Sequence, residues 1–288
     1  MGLSQLRGGK IKMEKREKTT AAVIHAVLIV AAFIMVIPFL WMVFTAFKTV
    51  TESTSVNPFV IFPTNWRFDS FVEVWNNYNF LVLYKNTLLM IFFRVLCAIV
   101  TASMAGFAFG RLHFPGKNLM LSLVLIQMMV PGQIFIIPQY VMMSKLNLLN
   151  TMFALVFPGI VTAFGTILLK TSYEGLPQDM DEAASIDGCN CFQRFLFILS
   201  PHTRSAVVSL GIFTAVFAFK DLMWPMLVCP DASTTTLSAA LAKLQSQYVA
   251  DYPNLMAAAL MACLPMIVIY ILFQKQFVEG IATSGGKL

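Results

Sequence analysis

Six stretches of this chain, 21–47, 87–109, 119–143, 151–169, 206–228 and 255–273, are long and apolar enough to cross a bilayer, which takes about 20 helical residues each. Backbone N–H and C=O groups have no water to bond inside hydrocarbon, so runs of this length and composition are satisfied as helices. Composition agrees: of 288 residues, 58% are hydrophobic and 12% charged, against about 45–50% and about 25% in soluble domains. The expected fold class is an all-α integral membrane protein with six transmembrane helices. The run at 21–47 follows a basic stretch, as a cleavable signal would, but it is far longer than the about 7–15 apolar residues of a signal core. No small-residue cleavage site ends it cleanly, so it reads as a retained first span.

The net charge of +6 could suggest a nucleic-acid partner, but the positions of the basic residues argue against one. Arg7, Lys10, Lys12, Lys15, Arg16 and Lys18 crowd the first twenty residues, immediately before the first span. This is the arrangement that holds a loop on the cytoplasmic side. An even number of spans then puts both termini in the cytoplasm. On that orientation 13 of the 20 basic residues, Lys287 among them, lie in inside segments; Arg94 and Lys220 lie within spans. The organisation expected is a basic cytoplasmic tail at 1–20 followed by one transmembrane domain at 21–288, in the cell (inner or plasma) membrane.

Five cysteines are scattered without the His or Cys spacing of a metal site, and they read as inert thiols; no metal or cofactor is expected. The outside loop 48–86 carries Pro58, Pro63, Trp66, Trp75, Tyr78 and Tyr84, a set suited to headgroup depth, where amphipathic rings settle. The outside loop 230–253 is polar and rich in Thr and Ser.

The inside loop 170–204 contains an acidic island, Glu182-Ala183-Ala184-Ser185-Ile186-Asp187-Gly188. Pro177 suits a helix start, and Asp179, Asp181 and Glu182 then meet the positive end of the helix dipole. Ala183 and Ala184 are small enough for another surface to come close. Gly188 fits a C-terminal stop, because it takes positive φ without a Cβ penalty. A second short helix is expected at 190–199, with Phe192, Phe195, Leu196 and Leu199 on one face and Pro201 ending it. An ordinary amphipathic loop is the plainer reading of the same residues.

This stretch resembles the EAA loop of ABC-importer permeases: Glu-Ala-Ala, three residues, Gly, nine residues, then Ile-x-Leu-Pro. Glu182, Ala183, Ala184, Gly188, Ile198 and Pro201 match in type and spacing. Ser200 stands where the pattern has Leu, which weakens an apolar contact. Residues 105–117, 150–160, 176–188 and 274–287 are similar to the second permease of carbohydrate-uptake importers of the maltose-transporter type, and the likeness runs from about Asn57 to the C-terminus. The resemblance implies that the loop, Asp187 included, forms coupling helices that enter a cleft on the ATP-hydrolysing subunit, with Glu182 and Gly188 as the critical contacts. It also implies the partners: a second homologous permease, two cytoplasmic ATPase subunits and an extracytoplasmic solute-binding protein, in the lipid bilayer.

Ionisable groups at bilayer depth are costly and mark a cavity or a partner. Lys220 and Asp221, read as consecutive residues of one helix, point about 100° apart. The family commonly has Trp-Asn-Asp-Phe-Leu-Trp-Pro here; Asp221, Trp224 and Pro225 match, whereas Phe219 and Lys220 depart. Lys220 would favour a solute bearing a carboxylate or phosphate, or serve as counter-ion to a partner. Arg94 either snorkels toward an interface or acts in the pathway. Pro131, Gly132, Gln133 and Pro138 should bend the third span, as a gate-lining helix or a packing kink. Residues expected along a translocation path are therefore Lys220, Asp221, Trp224, Gln133 and Pro131.

The chain has no Gly-x-x-x-x-Gly-Lys-Ser/Thr loop, so ATP hydrolysis is expected in a partner and the chain is not expected to be an enzyme. The function expected is the transmembrane permease subunit of an ATP-driven, binding-protein-dependent importer of a sugar, oligosaccharide or polyol. An ion-coupled secondary transporter is the alternative. It would need carboxylates among broken helices, and only Asp221 answers that description.

Overall fold

The computed structural model describes residues 2–56, 59–247 and 251–285, with side chains described for these except 2–19, 246, 247 and 277–285. Pro58 and Lys287 lie outside the described residues, as do the side chains of the basic tail. In chain order the helices are α1 (Gly2–Ala46), α2 (Val50–Thr54), α3 (Asp69–Asn77), α4 (Phe80–Arg111), α5 (Lys117–Met129), α6 (Ile136–Lys145), α7 (Met152–Val156) and α8 (Ala163–Glu174). They continue with α9 (Asp179–Ile186), α10 (Cys191–Gln193), α11 (Arg204–Lys220), α12 (Met223–Val228), α13 (Leu237–Gln247) and α14 (Tyr252–Gly285). The described residues contain no β-strand. Four helical stretches are long and apolar enough to span unbroken, at Thr20–Ala46, Phe80–Arg111, Cys191–Lys220 and Tyr252–Gln276; two bent pairs bring the total to six.

The bends have covalent causes. Lys117–Met129 and Gly132–Lys145 meet at 98°, around Pro131, which lacks an N–H and fixes its own φ. This is the kink the sequence predicts, and sharper than an ordinary proline bend. The fourth apolar run, expected as one span, is bent by 49° between Met152–Gly159 and Ala163–Glu174. Pro158 lies just before that bend, and Thr162 restarts the helix by accepting the Gly165 N–H on Oγ1 at 2.8 Å. The fifth run is not one helix either. Lys220 is the last residue of α11, and Asp221 is extended (φ −67°, ψ 111°), so the 100° helical offset expected between the two does not apply. Phe273, at the predicted end of the last span, is a kink within α14 (φ −113°, ψ 15°).

By contact the chain forms two units, Met1–Val74 with Tyr248–Leu260, and Trp75–Gln247 with Met261–Leu288. In the first, aromatic rings fasten the segment after α1: Trp41 stacks on Phe59 at 5.4 Å, and Phe47 contacts Trp66, Phe68 and Phe71, each at 5.1 Å. Lys48 is buried there, its Nζ 4.2 Å from the Trp41 ring and 2.7 Å from the Val60 carbonyl, and burial pushes its pKa down. Glu52 closes a capping box with Thr49 and receives the Thr64 N–H at 3.1 Å. Hydrogen bonds from Thr64 and Thr49 hold its carboxyl down at about 2.

The second unit is built around α4, which packs on α8 and α11. Gly106 lets α4 and α8 touch at the backbone, since a Cβ there would sit 2.6 Å from Leu169 Cβ and 2.8 Å from Lys170 N; small residues at such crossings are what lets membrane helices gain dispersion contact. One buried cluster joins Ala102, Phe107, Leu169, Tyr173, Leu199 and Leu210. Another joins Met90, Leu155, Ala218, Trp224 and Val228.

Candidate functional site: a braced helical hairpin and a buried ion pair

The acidic island folds as two short helical pieces around a tight turn. α9 starts two residues after Pro177, and its first turn holds Asp179, Asp181 and Glu182. At its other end the Gly188 N–H reaches the Ser185 carbonyl at 3.1 Å and the Cys189 N–H reaches Ala184 at 3.0 Å, the paired bonds of a Schellman stop. Gly188 has φ +79°, and a Cβ there would meet nothing within 4 Å. Glycine is therefore required by the dihedral and not by space. Asn190 opens the second piece with a reciprocal capping box to Gln193, both bonds 2.9 Å.

Pro201 does not end that second piece. Helical turns run from Cys191 through a π stretch at Arg194–Leu199 and a 3-10 turn at Ser200–Thr203 into α11. The wide π turn and the tight 3-10 turn absorb the proline's missing donor. Ser200 uses its hydroxyl, 2.9 Å from that of buried Tyr173, so the exchange for leucine places a hydrogen bond where an apolar contact was expected.

Three charges brace the hairpin. Asp181 sits between Arg111 of α4, at 3.4 Å, and Arg194, at 3.7 Å; Arg111 also donates to the Leu176 carbonyl, and Arg194 to Ser185 Oγ at 3.2 Å. The expected single apolar face is split: Phe195 and Leu199 pack inward, while Phe192 (62% exposed) and Leu196 face outward. Ala184 is buried, Ile198 is half-buried, and Glu182, Ala183, Asp187, Gly188 and Pro201 are exposed. Ile186 is 86% exposed, a large apolar side chain presented beside Glu182 and Asp187.

The second constellation is an ion pair. Arg94 does not reach toward an interface: it is 5% exposed, with Nη1 2.8 Å from Asp221 Oδ2 and Nε 2.8 Å from the Leu155 carbonyl. Beside it, buried Trp224 donates Nε1–H to the Ala154 carbonyl at 2.8 Å. Pro158 follows Ala154 by four residues and has no N–H to give it. Side chains from α4 and α12 thus satisfy consecutive carbonyls just before the proline, as broken membrane helices require. Lys220 is exposed at the C-terminus of α11, and Pro131 and Gln133 are exposed at the third-span bend. Asp221, Trp224 and Arg94 come together; Lys220, Gln133 and Pro131 do not join them.

Residues 98–282 match the family described as binding-protein-dependent transport system inner membrane component. The chain belongs to that family. It is 31% identical to a putative ABC transporter permease protein (ORF2) of Caldicellulosiruptor sp. over 87% of this chain and 91% of the relative. The arabinooligosaccharides transport system permease protein AraQ of Halalkalibacterium halodurans is 29% identical over 89% and 92%. The lactose transport system permease protein LacG of Rhizobium radiobacter is 26% identical over 93% and 97%. The fold is that of a chain from a bacterial ABC transporter involved in the import of the acidic polysaccharide alginate, with a TM-score of 0.76 at 20% identity over 91% of this chain and 98% of that one.

The permease is thus a multi-pass membrane protein. Two ion pairs, Arg94–Asp221 and Arg111–Asp181, are not predicted by the sequence reading, although the residues of each carry a signal. Arg94 and Asp221 are opposite charges within apolar runs, and charges at depth tend to find each other. Arg111 is the basic last residue of α4 and meets the first acidic turn after α8.

Proposed function

We infer that this chain is one of two membrane subunits of an ATP-driven, binding-protein-dependent importer whose solute is a sugar, an oligosaccharide or a related polyol. The relatives carry the solute class: their names specify arabinooligosaccharides, lactose, diacetylchitobiose and sn-glycerol-3-phosphate. The site observation that carries the mechanism is the braced hairpin at 179–203, with Glu182, Ala183, Ile186 and Asp187 exposed above the Arg111–Asp181–Arg194 bridge. A rigid, outward-facing element with an acidic and apolar surface suits docking into a cleft on a cytoplasmic ATPase. Because Asp181 ties it to α4 and the helical turns after Cys191 run into α11, a push on the hairpin is delivered to two spans. Such rigid-body shifts between two packings are the ordinary means of alternating access.

In this reading a second homologous permease completes the pathway, two ATPase subunits drive it, and an extracytoplasmic binding protein delivers the solute. The tail at 1–20 and both termini lie in the cytoplasm, and 21–288 is one permease domain. ATP hydrolysis belongs to the partner. Family membership favours this over ion coupling, and so does Asp221, the one carboxylate suited to a coupling site, because it is committed to Arg94.

The test is affinity purification of the tagged chain in mild detergent, then uptake by the reconstituted complex. A second permease and an ATPase should co-purify, and Glu182→Ala should abolish ATP-dependent uptake with assembly intact. A chain that purifies alone and takes up solute on a proton gradient overturns the proposal.

A further inference from the structure

A cavity of about 620 Å³ opens beside the Arg94–Asp221 pair, within the roughly 300–1,000 Å³ range of small-molecule sites. Arg94, Asp221, Thr162, Phe164, Phe213 and Phe217 line it. Phe164 and Phe213 meet edge to face at 5.7 Å, and Phe217 is 67% exposed at the wall. Gly159 also lines it and leaves room for the arginine: a Cβ there would stand 2.8 Å from Arg94 Cγ.

The polar groups of this cavity are few: the Arg94–Asp221 pair and the hydroxyls of Thr162 and Thr214. All three Arg94 nitrogens are engaged, Nη1 with Asp221 and Nε and Nη2 with the Leu155 carbonyl, and its charge is matched by Asp221. Asp221 is bonded through Oδ2, and Oδ1 has no partner among the described residues. The Thr162 hydroxyl accepts from Gly165 and keeps its O–H to donate. The pair sums to zero formal charge, and Lys220 is not part of the lining. What a ligand meets is a carboxylate oxygen held in place by a buried guanidinium, with the Thr162 and Thr214 hydroxyls, among phenylalanine rings.

We propose that this cavity is a solute subsite in this subunit and that it takes a neutral, polyhydroxylated unit in preference to a phosphorylated or acidic one. The proposal rests on the permease reading above. A pyranose or polyol has hydroxyl donors for Oδ1 and apolar C–H faces for the rings. An anion meets an unshared carboxylate oxygen and no uncompensated cation. A lipid chain fills the apolar wall but leaves that oxygen desolvated and unbonded, which is costly. Lys220, which at the level of sequence suggested an anionic solute, therefore does not set the charge preference.

The experiment uses the complete permease–ATPase complex in lipid nanodiscs, without binding protein or nucleotide. The probes are lactose, arabinobiose, diacetylchitobiose and sn-glycerol-3-phosphate, read by saturation-transfer NMR. At least one neutral probe should bind and the phosphate should not. Phe217→Ala, which removes an exposed ring, should weaken that binding about two- to tenfold, the equivalent of one aromatic contact, with assembly unchanged. Asp221→Asn should leave Arg94 uncompensated and make sn-glycerol-3-phosphate bind where it did not. Binding of the phosphate alone to the unaltered complex, no binding of any probe, or indifference to Phe217→Ala overturns the subsite. If the same complex still imports solute with ATP, the permease reading stands without it.

Discussion

Trp224→Phe tests whether the break in the fourth span is held by a side chain from the fifth. The indole N–H is the donor to the Ala154 carbonyl at 2.8 Å in a buried site, and Pro158 removes the backbone donor that would otherwise serve it. Phenylalanine keeps most of the ring and deletes the N–H. An unsatisfied buried group costs about 1–3 kcal/mol, whereas interhelical hydrogen bonds in membranes average about 0.6 and reach about 1.7. The lower range should govern, because an unfolded chain in lipid also finds partners, so about 0.6–1.7 kcal/mol is expected from the bond, with a packing loss added. The packing loss is removed by a double-mutant cycle. Pro158→Ala restores an N–H four residues after Ala154, so Trp224→Phe in that background should cost only the packing part. The coupling, about 0.6–1.7 kcal/mol, is read from denaturant titration of the reconstituted complex in mixed micelles and exceeds the ordinary non-additivity of about 0.3–0.5. Equal penalties in both backgrounds would refute the carbonyl argument.

Three further outcomes are expected. Gly188→Ala places a side chain at φ +79° and should cost about 1–2 kcal/mol in the hairpin, while Gly188→Asn, better tolerated there, should cost less; hydrogen exchange of the Ser185–Cys189 amides reads the difference, and equal protection in the two variants would count against the dihedral explanation. Arg94→Met strands Asp221 and should destabilise by about 3–5 kcal/mol, whereas Arg94→Met with Asp221→Leu should recover most of it; a double variant as weak as the single one would mean that the Leu155 bond, not the ion pair, is what matters. Glu52 has its pKa depressed to about 2, so its contribution to the segment after α1 is complete above the unfolded value of about 4.5 and is lost as pH falls toward 2. Glu52→Gln should flatten that acid limb in limited proteolysis with an acid-active protease, and an unchanged limb would assign it elsewhere.

Much of the fold was legible because its signals are local. Spans declare themselves by composition, the 98° bend by Pro131, and the hairpin by Glu182 to Gly188, whose cap needs nothing beyond its own backbone. What the sequence obscured is where local features meet distant ones. Pro158 lay in plain sight within the fourth run, yet its effect depends on Trp224 and Arg94, 66 and 64 positions away. Pro201 seemed to end a helix because proline usually does, but the π turn before it and the 3-10 turn at its own position carry the chain through. Ser200 reads as a lost apolar contact because Tyr173, whose hydroxyl it meets, is 27 residues earlier.

The same non-local bonds explain why the breaks are fixed places and not slack in the chain. Hydrocarbon offers no substitute donor, so a carbonyl freed by proline holds whatever side chain reaches it. Trp224 on Ala154 and Arg94 on Leu155 therefore tie α12 and α4 to the end of α7. Arg94 then holds Asp221, at the end of α11, as its third commitment. Asp221 can leave only if Arg94 finds another anion or gives up the buried position that Gly159 makes room for. That cost opposes proton-driven loss of the pair, which an ion-coupled carrier would need in every cycle, and it leaves the outer oxygen of Asp221 as the part of the constellation free to meet a solute.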